Sequence, residues 1–412
     1  MSLTDFKLDG GDGIYKLTWP ELHIQVMVDR IKADTDHQVK AEINATSSRP
    51  NSPGHLRGGR LILTSPSSKK SMVKSLEERE AEVDWDTVIE QLCTAVLQHY
   101  RSGSPAIEIT GDMDVQAASR WMIEPILQLG HPSLIYGQGS SGKSWFAQYI
   151  SVLADAGMNA SGLRVEPARV LYLDWETTQE ELGVRVAMLR KGLGLEVASH
   201  IWYREMNAGL YNDVEAIRHL IMDKDVNLLV LDSLGSACMG EPESAEIVLR
   251  MFQSLRSLRC TSLCIDHTNK EGHLFGSVYK YNSGRQIFEM KKNQAEGEDS
   301  LEFALFHRKA NNSKLIKPMG WTLRFSDDSA MLTRKDVKDT GLEKDLRIVD
   351  RIQNVLLGGA MLPKDIAEEL DKEPNHIRKE LSAWTTRGRF VRLDDGRYAV
   401  RTREEVETWA TI

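Results

Sequence analysis

The chain has 412 residues, 41% of them hydrophobic, and a formal net charge of −8 at pH 7. It is too long for one hydrophobic core to organise and apolar enough to fill two or three, and its acidic balance excludes a uniformly basic nucleic-acid coat while leaving room for local basic surfaces. No apolar run approaches the ~20 residues that cross a bilayer, and Met1–Gly11 shows no export pattern, so a cytoplasmic protein with no membrane partner is expected.

Residues 1–80 read as a small β-rich region. Leu22, Ile24, Val26 and Val28, then Val39, Ala41 and Ile43, alternate with the period of half-buried strands. The Ser-, Pro- and Gly-rich stretch Asn44–Arg60 and the charged segment Lys69–Asp84 read as mobile loop. Residues 81–119 read as a helical linker, with Trp85, Val88, Ile89, Leu92, Val96, Leu97 and Tyr100 at helical spacing. Asp84 is its expected N-cap, and Gly103 lies past its end. From 120 to 335 short apolar runs alternate with helical stretches, as a parallel sheet covered on both faces requires, which makes the fold class α/β. After the polar joint Asp339–Leu346, residues 343–412 carry three helical patterns and a hairpin turning at Asp395-Gly396, the outline of a winged helix-turn-helix. Cys93, Cys238, Cys260 and Cys264 have no paired metal spacing and read as buried thiols in a reducing compartment.

The chemistry concentrates at Gly137–Ser144, which fits G-x-x-x-x-G-K-[ST] between a strand ("SLIY") and a helix ("SWFAQYISVLADAG"). Small residues let successive backbone N–H groups curl around phosphate oxygens, and the helix N-terminus adds partial positive charge. Gly137, Gln138, Gly139, Ser140, Ser141, Gly142, Lys143 and Ser144, with Trp145 following, are therefore the expected nucleotide-binding residues. Lys143 would reach the outer phosphates, and Ser144 would offer its hydroxyl to Mg²⁺, implying ATP and Mg²⁺ as cofactors. In "LLVLDS" the strand ends in Asp232, the second expected metal residue, and Ser233 follows where some ATPases carry a glutamate. Glu176, just beyond "VLYLD", is the candidate for activating water, and Asp174, two residues earlier, competes for that role.

A P-loop, a glutamate at the next strand end and an "LVLDS" strand in this order resemble the RecA-like ATPase superfamily. With "SLCIDHTNK" and the stretch after it, residues 120–335 look most like the RepA-type hexameric helicases. By that resemblance His267 senses the γ-phosphate, and Lys280 or Arg285 is a finger reaching the neighbouring subunit's nucleotide. The resemblance also implies a homo-hexamer with single-stranded DNA in its central channel. Lys270, His273 and Lys280, on the loop after that strand, are the groups that could meet a phosphate backbone, and His307, Arg308, Lys309 and Lys314 form another basic turn.

In the winged helix, duplex DNA would meet Arg378 and Lys379 on the third helix and Arg389, Arg392 and Arg397 around the hairpin. Glu368, Glu369, Asp371 and Glu373 would repel phosphates and favour a protein-contact module instead. The expected function is thus an ATP-dependent, DNA-associated motor, a RepA-like helicase or single-strand translocase. The alternatives are a nucleotide-switched DNA-binding regulator or loader and a small-molecule kinase.

Overall fold

The structure, a computed structural model, describes residues 5–401 apart from 12, 36–37, 104–105, 107, 113–119, 242, 270–271 and 277. It divides into two compact units, residues 1–118 with 213–219, and residues 119–212 with 220–412.

In the first unit β1 (Lys7–Gly11), β2 (Ile14–Trp19), β3 (Ile24–Ala33), β4 (Val39–Ser47) and β5 (His55–Ile62) form an antiparallel meander in chain order. Val26, Val28, Ala41, Ile43 and Ala45 point to its buried face, as the period-two pattern predicts. The region expected as loop is structured at both ends. Asn44–Ser47 complete β4 and His55–Arg60 belong to β5, because Leu56 and Leu61 have the buried face to fill and backbone pairing with β4 tolerates the glycines between them. Within the charged segment lies α1 (Pro66–Glu77), with Ser65 as N-cap, Pro66 in the first turn, and Met72, Val73 and Leu76 buried. The expected linker helix is α2 (Trp85–Ser102). Its Trp85, Val88, Ile89, Leu92 and Val96 share one hydrophobic cluster with the sheet, and Trp19 Nε1 donates to Gln91 Oε1 at 2.8 Å. It is therefore part of this unit's core.

The second unit starts with β6 (Trp121–Glu124) and β7 (Leu127–Gln128), which with β9 (Arg164–Val165) make a small sheet. Its main sheet contains β8 (Pro132–Gly137), β10 (Val170–Asp174), β11 (Trp202–Glu205), β12 (Leu228–Asp232), β13 (Thr261–His267), β14 (Gln286–Asn293), β15 (Ser300–Ala310), β16 (Met319–Phe325) and β17 (Ala330–Lys335). The order is β11-β10-β12-β13-β8-β14-β15-β16-β17, parallel from β11 through β14 and antiparallel beyond. Every residue of β8, β10 and β12 is buried, because helices cover the faces of these strands. The helices packed against the strands of this sheet include α3 (Lys143–Ala156), α4 (Gln179–Gly192) and α6 (Leu234–Cys238), and the chain also forms α5 (Leu210–Lys224), whose residues 213–219 belong to the first unit, α7 (Ala245–Ser257) and α8 (Val278–Ser283). This mixed α/β architecture, with its central parallel sheet, fits a RecA-like P-loop core. The antiparallel extension β16–β17 has no counterpart in the sequence reading. Its Trp321, Leu323, Ala330 and Leu332 join the main core cluster.

At the C-terminal end, α9 (Ile348–Leu356), α10 (Pro363–Glu369), α11 (Pro374–Thr386), β18 (Phe390–Arg392) and β19 (Tyr398–Val400) enclose their own cluster of Val349, Ile352, Leu356, Ile366, Leu370, Ile377, Leu381 and Phe390. All four cysteines are free and buried. Among the described residues no helix is long and apolar enough to cross a membrane.

Candidate functional site

Six parallel strands aim their C-terminal ends at one edge of the main sheet, and the P-loop crosses that edge between β8 and α3. Two glycines are there for stated reasons. Gly142 caps α3 with φ +89, a left-handed torsion that a side chain would strain, and a Cβ there would meet Leu301 Cδ2 at 2.9 Å. A Cβ on Gly137 would lie 2.4 Å from the Met290 carbonyl oxygen of β14. The Lys143 ammonium is buried and donates to the carbonyl oxygens of Gly137 (3.1 Å) and Gln138 (2.8 Å). Burial holds its pKa below the usual lysine value, against the pull of Asp232, Glu176 and Asp266.

Asp232 is 2% exposed and accepts a hydrogen bond from the Tyr172 hydroxyl at 2.8 Å. Burial pushes its carboxyl up, although hydrogen bonds from Tyr172 and the Ser144 hydroxyl oppose the shift. A buried carboxylate beside a serine hydroxyl is a donor set that a hard cation would complete. The buried Ser141 hydroxyl, without a hydrogen-bond partner in the same loop, is a further group for a ligand to satisfy. The residues therefore fit nucleotide and Mg²⁺, with Ser144 and Asp232 holding the metal. No group of three or more His, Cys, Asp or Glu suited to a metal occurs among the described residues, as expected where phosphates and waters supply most of the magnesium shell.

The geometry separates the two rival carboxylates. Asp174 is fully buried and accepts from the backbone N–H groups of Glu176 (2.9 Å) and Thr177 (3.0 Å) and from the Thr177 hydroxyl (2.5 Å), so it fastens the turn after β10. Glu176 is half-exposed. Its Oε1 accepts from the Ser233 hydroxyl at 2.5 Å and lies 3.5 Å from His267 Nε2. The hydrogen bond from His267, aided by Ser233 and Lys143, holds its pKa below the usual carboxylate value against the effect of burial.

A cavity of about 380 Å³ brings together Ser140, Lys143, Ser144, Glu176, Asp232 and His267. The same cavity is also lined by Trp145, Arg185 and Phe325. The rings of Trp145 and Phe325 meet edge to face at 5.2 Å, and the Arg185 guanidinium lies 5.3 Å over Trp145. Sequence reasoning missed Tyr172, Ser233, Arg185 and Phe325 as site residues. Tyr172 alone left a signal, as a hydroxyl on a strand otherwise fully apolar before its terminal acid.

Residues 98–273 match the family described as an AAA domain. That span holds the P-loop, Glu176, Asp232 and His267, and it supports a P-loop ATPase. No curated protein matches the chain. Among solved structures, a KaiC-like protein from the hyperthermophilic archaeon Pyrococcus horikoshii OT3 is similar at 16% identity. The similarity covers 55% of this chain and 99% of that chain, with a TM-score of 0.38.

The remaining candidates fall elsewhere. Lys280 is corrected: it is 0% exposed and ion-paired with Asp266 at 2.7 Å, so its ammonium can reach neither a neighbouring subunit nor a phosphate backbone. Arg285 is exposed at the start of β14, where its N–H donates to the Pro132 carbonyl oxygen, at the opposite end of the strands from the P-loop of its own chain. His273 is exposed on the loop after β13, whereas Lys270 lies outside the described residues. The second basic turn is largely occupied by the fold. His307 hydrogen-bonds Gln286, Arg308 pairs with Glu289, and Lys309 donates to the carbonyls of Tyr281, Asn282 and Gly284. In the C-terminal module Arg378, Lys379 and Arg392 are exposed, and Arg397 pairs with Asp395 in the hairpin. Arg389 is corrected as well: it is largely buried, bonded to Asp350 at 2.6 Å and to Gln353, and so ties the start of β18 to α9.

Proposed function

We propose that the chain hydrolyses ATP at the P-loop edge and couples hydrolysis to DNA, as a RepA-like hexameric helicase or single-strand translocase. The observation that carries the hydrolytic part is the convergence of Lys143, Ser144, Asp232, Glu176 and His267 on one cavity. The loop amides and Lys143 hold the phosphates, and Trp145, Phe325 and Arg185 give the base two rings and a planar cation to rest against. Ser144 and Asp232 would hold magnesium, which when bound would offset the negative charge of the phosphates. Glu176, kept ionised by its neighbours, orients a water and accepts its proton, and His267, 3.5 Å away, ties that carboxylate to the loop after β13. Arg285, exposed at the far end of the strands, is left as the candidate for a finger acting on a second subunit.

The DNA part rests on resemblance and on the C-terminal module, whose three helices and hairpin have the make-up of a winged helix-turn-helix and present Arg378, Lys379 and Arg392 to solvent. The internal pairing of Arg389 and Arg397 thins that basic edge and favours a second reading, a nucleotide-switched regulator or loader. Strand displacement on forked DNA, run beside ATP hydrolysis with and without single strands, tests both. The motor reading expects stimulated hydrolysis and separated strands. Hydrolysis with the duplex intact supports the regulator, and absence of ATP turnover overturns both.

A further inference from the structure

Tyr172 is the third residue of β10, and in the parallel pairing of β10 with β12 it stands two positions before Asp174, whose partner across the strands is Asp232. Alternate residues of a strand share a face, so the phenol and Asp232 lie on one side of the sheet. The ring is 0% exposed, and its hydroxyl donates to Asp232 Oδ2 at 2.8 Å. The residues around it on β10 are Val170, Leu171 and Leu173, all buried. Packing alone does not ask for a hydroxyl here, because phenylalanine fills the same space with no polar group to satisfy.

That hydrogen bond fixes what Asp232 can offer a cation. An ionised carboxylate only accepts and a phenol is protonated at neutral pH, so Tyr172 is the donor and occupies one of the two carboxylate oxygens. A carboxylate with one oxygen pinned meets a cation, directly or through a water, with the other alone. Magnesium suits this arrangement, because its small octahedral shell has no room for the narrow bite of a two-oxygen carboxylate and keeps several waters. Calcium is larger, gathers about six to eight oxygens, and takes both oxygens of one carboxylate readily.

We propose that Tyr172 is a positioning residue that makes the site prefer magnesium to calcium, by holding Asp232 Oδ2 so that the carboxylate offers the cation one oxygen. The proposal rests on the reading of Ser144 and Asp232 as the metal-holding pair. It goes beyond that reading in giving the choice of metal to a side chain that touches the carboxylate and not the cation. Loss of the hydroxyl frees Oδ2, which loosens the carboxylate for magnesium and opens its second oxygen to calcium.

The test measures binding and not turnover on the full-length chain. The β,γ-imido analogue of ATP is titrated as its magnesium complex, as its calcium complex, and free of metal in EDTA, and the parent should bind the magnesium complex more tightly. Tyr172→Phe should cut the preference for magnesium over calcium about tenfold, the lower end of the roughly 10–100-fold cost of removing a hydrogen bond behind a metal ligand, and leave metal-free binding within about twofold. Tyr149→Phe removes another buried hydroxyl from the same core, one bonded to Ser161 at 2.8 Å, and should keep the parent's preference. Asp232→Asn should abolish that preference and so tests the underlying pair. If Asp232→Asn shifts the preference and Tyr172→Phe does not, the proposal alone is overturned. If Asp232→Asn leaves it unchanged, or the chain binds no form of the analogue, the metal-holding pair falls and the proposal with it. Equal weakening of all three forms by Tyr172→Phe, or an equal shift with Tyr149→Phe, would assign the phenol to packing and overturn the proposal, as would a parent that does not favour magnesium.

Discussion

At the P-loop edge most of the ionisable groups are buried and held by fixed neighbours, whereas in the C-terminal module most of them stand in water and pair with one another. Lys143, Asp174, Asp232, Asp266 and Lys280 are all buried, and each has named partners. Arg347 with Asp350, Arg397 with Asp395, and the open Arg378, Lys379 and Arg392 line the other region. A buried charge must be satisfied by a fixed neighbour or a ligand, so its position carries chemical information. An exposed charge is satisfied by water and says little about what it meets.

The comparison breaks first at Glu176. Glu176→Gln should slow hydrolysis by about 10³-fold while nucleotide still binds, checked by single-turnover rates and equilibrium binding. Because its pKa is lowered, the carboxylate stays ionised below the usual glutamate value of about 4.3. The acid limb of the single-turnover rate should accordingly fall below that value, and a limb above it would assign the base to another group. The next effect is on stability. Lys280→Met leaves Asp266 buried without its cation and should cost about 3–5 kcal/mol in urea unfolding, with much of the loss recovered by adding Asp266→Asn. Recovery would show that the cost belongs to the orphaned charge and not to side-chain packing. The smallest effect sharpens the reading of the cavity lining. Phe325→Ala should weaken ATP about tenfold, within the roughly 1–3 kcal/mol of a base–aromatic contact, and leave tripolyphosphate unchanged. Equal loss for both would mean that the ring supports the loop and not the base.

The P-loop and the parallel strands were legible because each follows from a local rule. Fixed spacing of small residues serves phosphate, and unbroken apolar runs serve a sheet buried on both faces. What escaped depends on partners far along the chain. The stretch "VYKYNS" cannot show that Lys280 turns inward to Asp266, fourteen residues earlier, nor can the hairpin arginines show that Arg389 reaches Asp350, 39 positions away. Strand β5 and helix α1 escaped for a different reason. Serine, proline and glycine read as loop by composition, and only pairing with β4 and burial of Met72, Val73 and Leu76 override it. Asp174 and Glu176 were equal rivals on paper, and they differ only in which oxygen atoms the following turn consumes.

The contact between Gly137 and the Met290 carbonyl means that one wall of the nucleotide cradle is lent by a strand 153 residues downstream. The clearance there is less than one methyl group. Even alanine at position 137 would wedge β14 away from β8, loosening the seam beside the lysine while every other letter of the signature remained intact. The signature is thus a surface feature of two strands zipped together, and its fidelity rests on the second of them as much as on the first.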